Sequence, residues 1–103
     1  MNQTMLTLLR PGEMGRLLAD RAKALRLFKS WTRETLARRA GVSVSSLKRF
    51  ESTGKASLEL VLKAAGALGR LDEFGKLLAP PPARSIEELE RRAAKPIPKR
   101  GRI

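Results

Sequence analysis

The side chains able to do chemistry in this sequence gather in one short run. Val44, Ser45, Ser46, Lys48 and Arg49 lie together, with Thr32, Arg33 and Ser43 before them and Lys55 after. These groups suit binding rather than bond making. An arginine guanidinium can donate two parallel hydrogen bonds to O6 and N7 of guanine, a valine methyl can meet the methyl of thymine, and hydroxyl and ammonium groups match phosphate oxygens. The 103-residue chain has no His, no Cys and no Tyr. The commonest metal ligands, the thiol nucleophile and the usual neutral-pH general base are therefore missing. Its carboxylates and lysines form no catalytic constellation. The composition points away from an enzyme, and no cofactor or metal is expected.

Charge suggests the partner. The chain carries 22 Lys+Arg against 10 Asp+Glu, a formal net charge of +12, and such a surface replaces the counterions condensed on nucleic acid. A membrane surface would attract it too, and nonspecific nucleoid or RNA-binding proteins share the bias. The apolar runs are too short to span a bilayer. Met5-Leu6-Thr7-Leu8-Leu9 lacks the basic leader of a signal peptide and is too short for its core. With cysteine absent, a reducing compartment fits. The expected location is the bacterial cytoplasm, on the nucleoid when bound to DNA, with no membrane partner.

Helices must position these groups. Apolar residues recur at three and four, and Ala, Leu, Arg, Lys and Glu dominate, so the fold class is all-α. A first helix is expected from after Pro11-Gly12 to about Lys29, with Leu17, Leu18, Ala22, Leu25 and Phe28 facing inward. Thr32 is placed to cap a second helix, with Trp31 stapling onto Leu36 and Gly41 stopping it. Ser43 caps a third, with Val42 stapling onto Leu47 and Gly54 ending it. Ser57 opens a fourth, with Leu58, Val61, Leu62, Ala65 and Leu68 on one face. Leu71, Phe74, Leu77 and Leu78 suggest a short fifth helix, packed either into the core or against a symmetry mate. Pro80-Pro81-Pro82 reads as a stiff extended linker. After it, Ser85-Ile86-Glu87-Glu88 is a capping-box signature for one weak helix to about Arg92. From Arg91 onward the chain is basic and free of acidic residues, and its last residues are expected to be disordered. The organisation is an N-terminal extension (1–11), one domain (12–79), and a segment (80–103) made of linker, weak helix and basic tail.

The second and third predicted helices have the residue types of a helix-turn-helix. Ala37 is small where the next helix crosses, Gly41 can take the left-handed conformation that redirects the chain, and Leu36, Ala40, Val42, Leu47 and Phe50 supply the shared apolar face. At roughly 100° per residue, Leu47 and Phe50 define the buried side of the third helix, leaving Ser45, Arg49 and Ser52 outward with Lys48 at the edge and Val44 at the start. Ser45 and Ser46 fall in the first turn, where the helix dipole favours phosphate. Val44, Ser45 and Arg49 are thus the candidates for base contact, and Thr32, Arg33, Ser43, Ser46, Lys48 and Lys55 for phosphate contact. In isolation, Arg49 reads more readily as a solvated charge and the serines as helix starters; inside the whole motif the DNA role is preferred.

The block Trp31-Thr32, Leu36-Ala37, Ala40-Gly41-Val42-Ser43, Leu47, Phe50-Glu51 resembles the phage-repressor-like (XRE) helix-turn-helix family, over about residues 13–79. The resemblance implies a five-helix domain, here followed by a short helix and basic tail, acting as a homodimer on double-stranded DNA at an inverted-repeat operator. It also implies that Arg26, late in the first helix, pairs with Glu51 at the end of the recognition helix, making Glu51 structural. Two departures stand out. Arg33 occupies a position where the family often has Gln, and the turn Ser52–Ser57 lacks the familiar Pro. A narrower resemblance, through Leu47–Glu51, Leu68–Phe74 and Ala83–Leu89 before a basic tail, is to HipB-like antitoxins of HipA-type kinase toxin operons. It implies autorepression and a HipA-type Ser/Thr kinase toxin, or a small accessory antitoxin, as partner. Two alternatives remain: a stand-alone repressor, and an interaction module that mainly holds a toxin through residues 86–103.

Overall fold

A computed structural model describes residues 9–94. The N-terminal run from Met5 to Leu8 and the basic stretch from Lys95 to Ile103 lie outside the described residues. Among those described there are helices and no strand: α1 (Pro11–Phe28), α2 (Arg33–Ala40), α3 (Val44–Thr53), α4 (Leu58–Ala67), a 3-10 helix (Leu71–Lys76) and α5 (Ile86–Ala94).

Each helix boundary has a local cause. Pro11 occupies the start of α1, where its missing N–H costs nothing and its fixed φ suits the helix. Thr32, Ser43 and Ser57 each accept a hydrogen bond through the side-chain oxygen from the backbone N–H three residues on, all at 3.1 Å. These caps satisfy amide groups that a helix start leaves unpaired, each worth about 1 kcal/mol. At the end of α2, Gly41 adopts φ 73°. Its N–H meets the Arg38 carbonyl at 3.3 Å and that of Val42 meets Ala37 at 3.0 Å, the paired pattern of a Schellman stop. The same pattern ends α1, with Ser30 N–H to Leu27 O at 2.9 Å and Trp31 N–H to Arg26 O at 3.1 Å. There the left-handed residue is Ser30, at φ 59°.

The core joins all four α-helices of the domain through Ala19, Leu36, Ala37, Leu47, Phe50, Leu60 and Leu68. Leu36 and Leu47 are wholly buried, each contributing on the order of 1.5–3 kcal/mol by leaving water. α1 packs against α3, and α2 packs against both α3 and α4. Ala37 sits 2 % exposed beside these contacts, where its small side chain lets the helices cross closely.

Several expected inward positions are different in the structure. α1 buries Ala19 and Arg26, with Leu18, Ala22 and Leu25 packed alongside. Phe28, nine residues beyond Ala19, falls about 180° around the helix and is 89 % exposed. In α4 the buried arc centres on Leu60, Ala64 and Leu68; Leu58 is about 120° from that centre, in the first turn, and is exposed. The fifth element is 3-10 rather than α. Three residues per turn align Leu71, Phe74 and Leu77 along one edge, yet only Phe74 is half-buried. Leu71, Leu77 and Leu78 remain exposed, so they do not extend the core. α5 runs two residues past Arg92, to Ala94. Ser85 caps it by accepting from Glu88 N–H at 3.1 Å, while Glu88 accepts from the Arg84 N–H at 2.6 Å instead of closing the box on Ser85.

Candidate nucleic-acid interface

The α2–turn–α3 unit presents one side of α3 to solvent. Leu47, Phe50 and Glu51 are buried, and the opposite side carries Ser45, Lys48, Arg49 and Ser52, all exposed, with Val44 38 % exposed at the start. Glu51 is the sole acidic residue of α3 and it faces inward, so the outward side is purely neutral or cationic. The three residues expected to meet bases (Val44, Ser45 and Arg49) therefore share an accessible strip across the first two turns.

The hydroxyls divide into two roles. Ser43 Oγ accepts from the Ser46 N–H and donates to Ser46 Oγ at 2.7 Å. Its proton is used within the cap, and the Ser46 hydroxyl proton is the one left to point at a phosphate. Thr32 Oγ1 likewise caps α2 and lies 3.0 Å from Thr35 Oγ1. Lys48 and Lys55 are exposed. Lys55 sits in the turn after α3, its backbone N–H held by Thr53 Oγ1 at 3.1 Å.

Behind the strip is a buried ionic network. Arg26 Nε and one terminal nitrogen reach the two Glu51 carboxylate oxygens at 2.8 and 2.9 Å, a bidentate fork suited to guanidinium and carboxylate. Arg33 Nε adds a third bond to Glu51 Oε1 at 3.1 Å. Arg26 also donates to the Trp31 carbonyl at 2.8 Å, joining α1, the α1–α2 turn, α2 and α3 in one network. Burial pushes the Glu51 carboxyl up, but the hydrogen bonds and charges of Arg26 and Arg33 outweigh it and hold the group below its ordinary 4.5. Arg33, expected at phosphate, is thus partly committed inward. Its Nε belongs to Glu51, and a phosphate would be met by its terminal nitrogens.

Other positioning groups are invisible in the sequence. Arg16 of α1 donates to the carbonyls of Glu51, at 3.1 Å, and Ser52, at the end of α3 where the helix dipole is negative. Asp20 holds the same guanidinium at 2.7 Å. Beside it, Gly54 takes φ 77°, and a Cβ there would lie 2.7 Å from the Arg16 backbone nitrogen. The two backbones touch because neither Gly15 nor Gly54 carries a side chain. Contacts between residues more than thirty positions apart leave no local periodicity by which to find them. Trp31 packs against the core as a staple should, and it also carries Arg39 over its ring at 4.6 Å and Lys29 at 5.3 Å. Those cation–π contacts fix two charges next to the start of α2.

A family model described as Helix-turn-helix matches residues 23–74, just over half of the chain. The match takes in α2, the turn and α3 whole, and begins inside α1, after Gly15 and Arg16. No match is found among curated proteins or among solved structures. Among the described residues no helix is long and apolar enough to cross a membrane.

Proposed function

The chain belongs to the helix-turn-helix (XRE) family, whose domain binds DNA and regulates transcription, and we propose that it works as a sequence-specific repressor on double-stranded DNA. The observation that carries this is the outward strip of α3. Arg49, Ser45 and Val44 are exposed on a helix whose acidic residue is buried and neutralised, and whose angle is held at both ends by Arg16, Arg26 and Gly41. A helix so presented enters the major groove with Arg49 at a guanine edge and Val44 near a thymine methyl. Ser46, Lys48, Lys55 and the terminal nitrogens of Arg33 take the flanking phosphates, as do the backbone N–H groups at the Thr32 and Ser43 corners, and set the register. Two such helices, one from each protomer of a homodimer, read an inverted repeat one helical turn apart.

Arg49→Ala tests the base-reading role. It costs about 1–3 kcal/mol on the preferred duplex and relaxes discrimination at one position, whereas Lys48→Ala weakens all duplexes alike and lowers the salt slope by about one. Equal losses for Arg49→Ala on preferred and scrambled duplexes would leave only charge.

A second reading makes the same repressor the antitoxin-type component of a HipA-type kinase toxin operon. It is favoured by α5, whose Ile86 and Leu89 are exposed and available to a partner. Co-purification with the neighbouring gene product, with and without residues 80–103, separates a toxin-bound regulator from a stand-alone one.

A further inference from the structure

The domain has an unfilled apolar groove, and the chain also carries a helix that has nothing to pack on. The groove, of about 220 Å³, opens between α1, α4 and the 3-10 helix and is floored by Leu18, Ala22, Leu25, Val61, Ala65 and Phe74. Arg21 and Arg70 stand at its rim with Glu73; Arg70 pairs with Glu73. The helix is α5. Ile86, Leu89 and Ala93 fall within about 60° of one another around it, and no α5 residue is buried. Nine residues are too few to hold a helix in water by propensity alone, so such a segment needs a surface.

We propose that α5 of one protomer seats its Ile86–Leu89–Ala93 stripe in this groove on a second copy of the chain, and that the second copy returns the same contact. The proposal rests on the two-helix DNA docking above and assigns the surface that makes the dimer. Three features favour the pairing. The groove is wide enough for aliphatic side chains and lined by them. Charges match as well: Glu90 lies about 40° from Ile86, beside the apolar stripe, and forms no ion pair among the described residues, while Glu88 pairs with Arg92 on the other side of the stripe. Glu90 thus arrives beside Arg21, which adds its charge to a rim where Arg70 already neutralises Glu73. The third feature is the linker. Pro80-Pro81-Pro82 favours an extended, stiff path of roughly 3.1 Å per residue, and Arg92 donates back to the Pro81 carbonyl, folding α5 against the linker. No α5 residue is buried, and α5 is not among the helices that pack into the domain, so its stripe is open to a neighbour. Reciprocal exchange is self-complementary and closes as a two-fold dimer, with no open chain.

The test is sedimentation velocity on the full chain without DNA, over a concentration series, with half-site DNA binding and thermal unfolding measured separately. Wild type is expected to double in mass with concentration. Ile86→Glu/Leu89→Glu, which alters only exposed positions, is expected to weaken that association about a hundredfold while leaving unfolding and half-site binding unchanged. Arg21→Glu weakens it, Glu90→Arg weakens it, and the two together restore it. A wild type that stays monomeric while α5 is protected from amide exchange would place the helix in its own groove and overturn the exchange. A dimer indifferent to Ile86→Glu/Leu89→Glu would overturn it too, as would a monomer whose arm is covered only when a neighbouring gene product is added. Loss of half-site binding in wild type would sink the DNA reading instead, independently of the dimer.

Discussion

Replacing Glu51 by Gln tests how the recognition helix is held. The shape is kept, but the charge and half of the acceptor capacity go. In the protein, Glu51 accepts three hydrogen bonds, two from Arg26 at 2.8 and 2.9 Å and one from Arg33 at 3.1 Å. A glutamine offers one oxygen to these donors and turns an amide N–H₂ toward the rest, setting donor against donor. Arg26 is only 6 % exposed, so its charge cannot recover hydration. Removing one partner of a buried pair typically costs about 3–5 kcal/mol, because the other charge is stranded. A small domain has about 5–15 kcal/mol in all, so the variant should unfold at markedly lower urea or temperature. Arg33 supplies the contrast. Its side chain is 37 % exposed, and Arg33→Ala should cost about 1 kcal/mol or less, since water replaces the lost bond. The assay is urea denaturation of wild type, Glu51→Gln, Arg33→Ala, Arg26→Met, Glu51→Met and Arg26→Met/Glu51→Met. A Glu51→Gln cost below about 1 kcal/mol would refute the stranded-charge reasoning. So would additivity of the Arg26 and Glu51 losses in the double variant, since partners in one network must couple.

The same pair sets an acid dependence. Glu51 titrates below its ordinary 4.5 in the folded protein, so its contribution is complete above the carboxylate range and is lost as pH falls through the folded value. The stability gap between wild type and Glu51→Gln should be flat near neutral pH and narrow in acid; a gap that widens in acid would contradict the sign. Backbone crowding gives a further comparison. Gly54→Ala meets both a left-handed φ and the Arg16 backbone, whereas Gly69, at φ 76°, has open space around it. Thermal unfolding should show the Gly54 change costing more than about 2 kcal/mol and Gly69→Ala about 1 kcal/mol. Equal costs would mean that the α1–α3 contact yields.

Much of the site was legible because its causes are local. Thr32, Ser43 and Ser57 announce helix starts by chemistry that reaches three residues, and Gly41 announces a stop by its own backbone freedom. The outward strip of Val44, Ser45 and Arg49 follows from helical angle once Leu47 and Phe50 are known to be inside. The inward faces of α1 and α4 were harder, since Leu17, Leu18 and Phe28, or Leu58 and Leu62, are apolar whichever way the helix is turned. Only the neighbours decide that Ala19 and Leu60 are buried while Phe28 and Leu58 are not.

By itself, then, the sequence determined a basic, all-helical chain with capped helices, the position of the turn at Gly41, and which residues stand on the outer side of α3. Those are consequences of composition, backbone preference and a period of 3.6, all of which act over a few residues. Tertiary structure alone decided how that helix is aimed. Arg33 turns partly inward to Glu51, Arg16 grips the end of α3 from across the fold, Gly15 and Gly54 bring two backbones into contact, and a groove is left open beside α4. Each of these depends on packing between segments distant in the chain, where distance and shape decide and spacing carries no record.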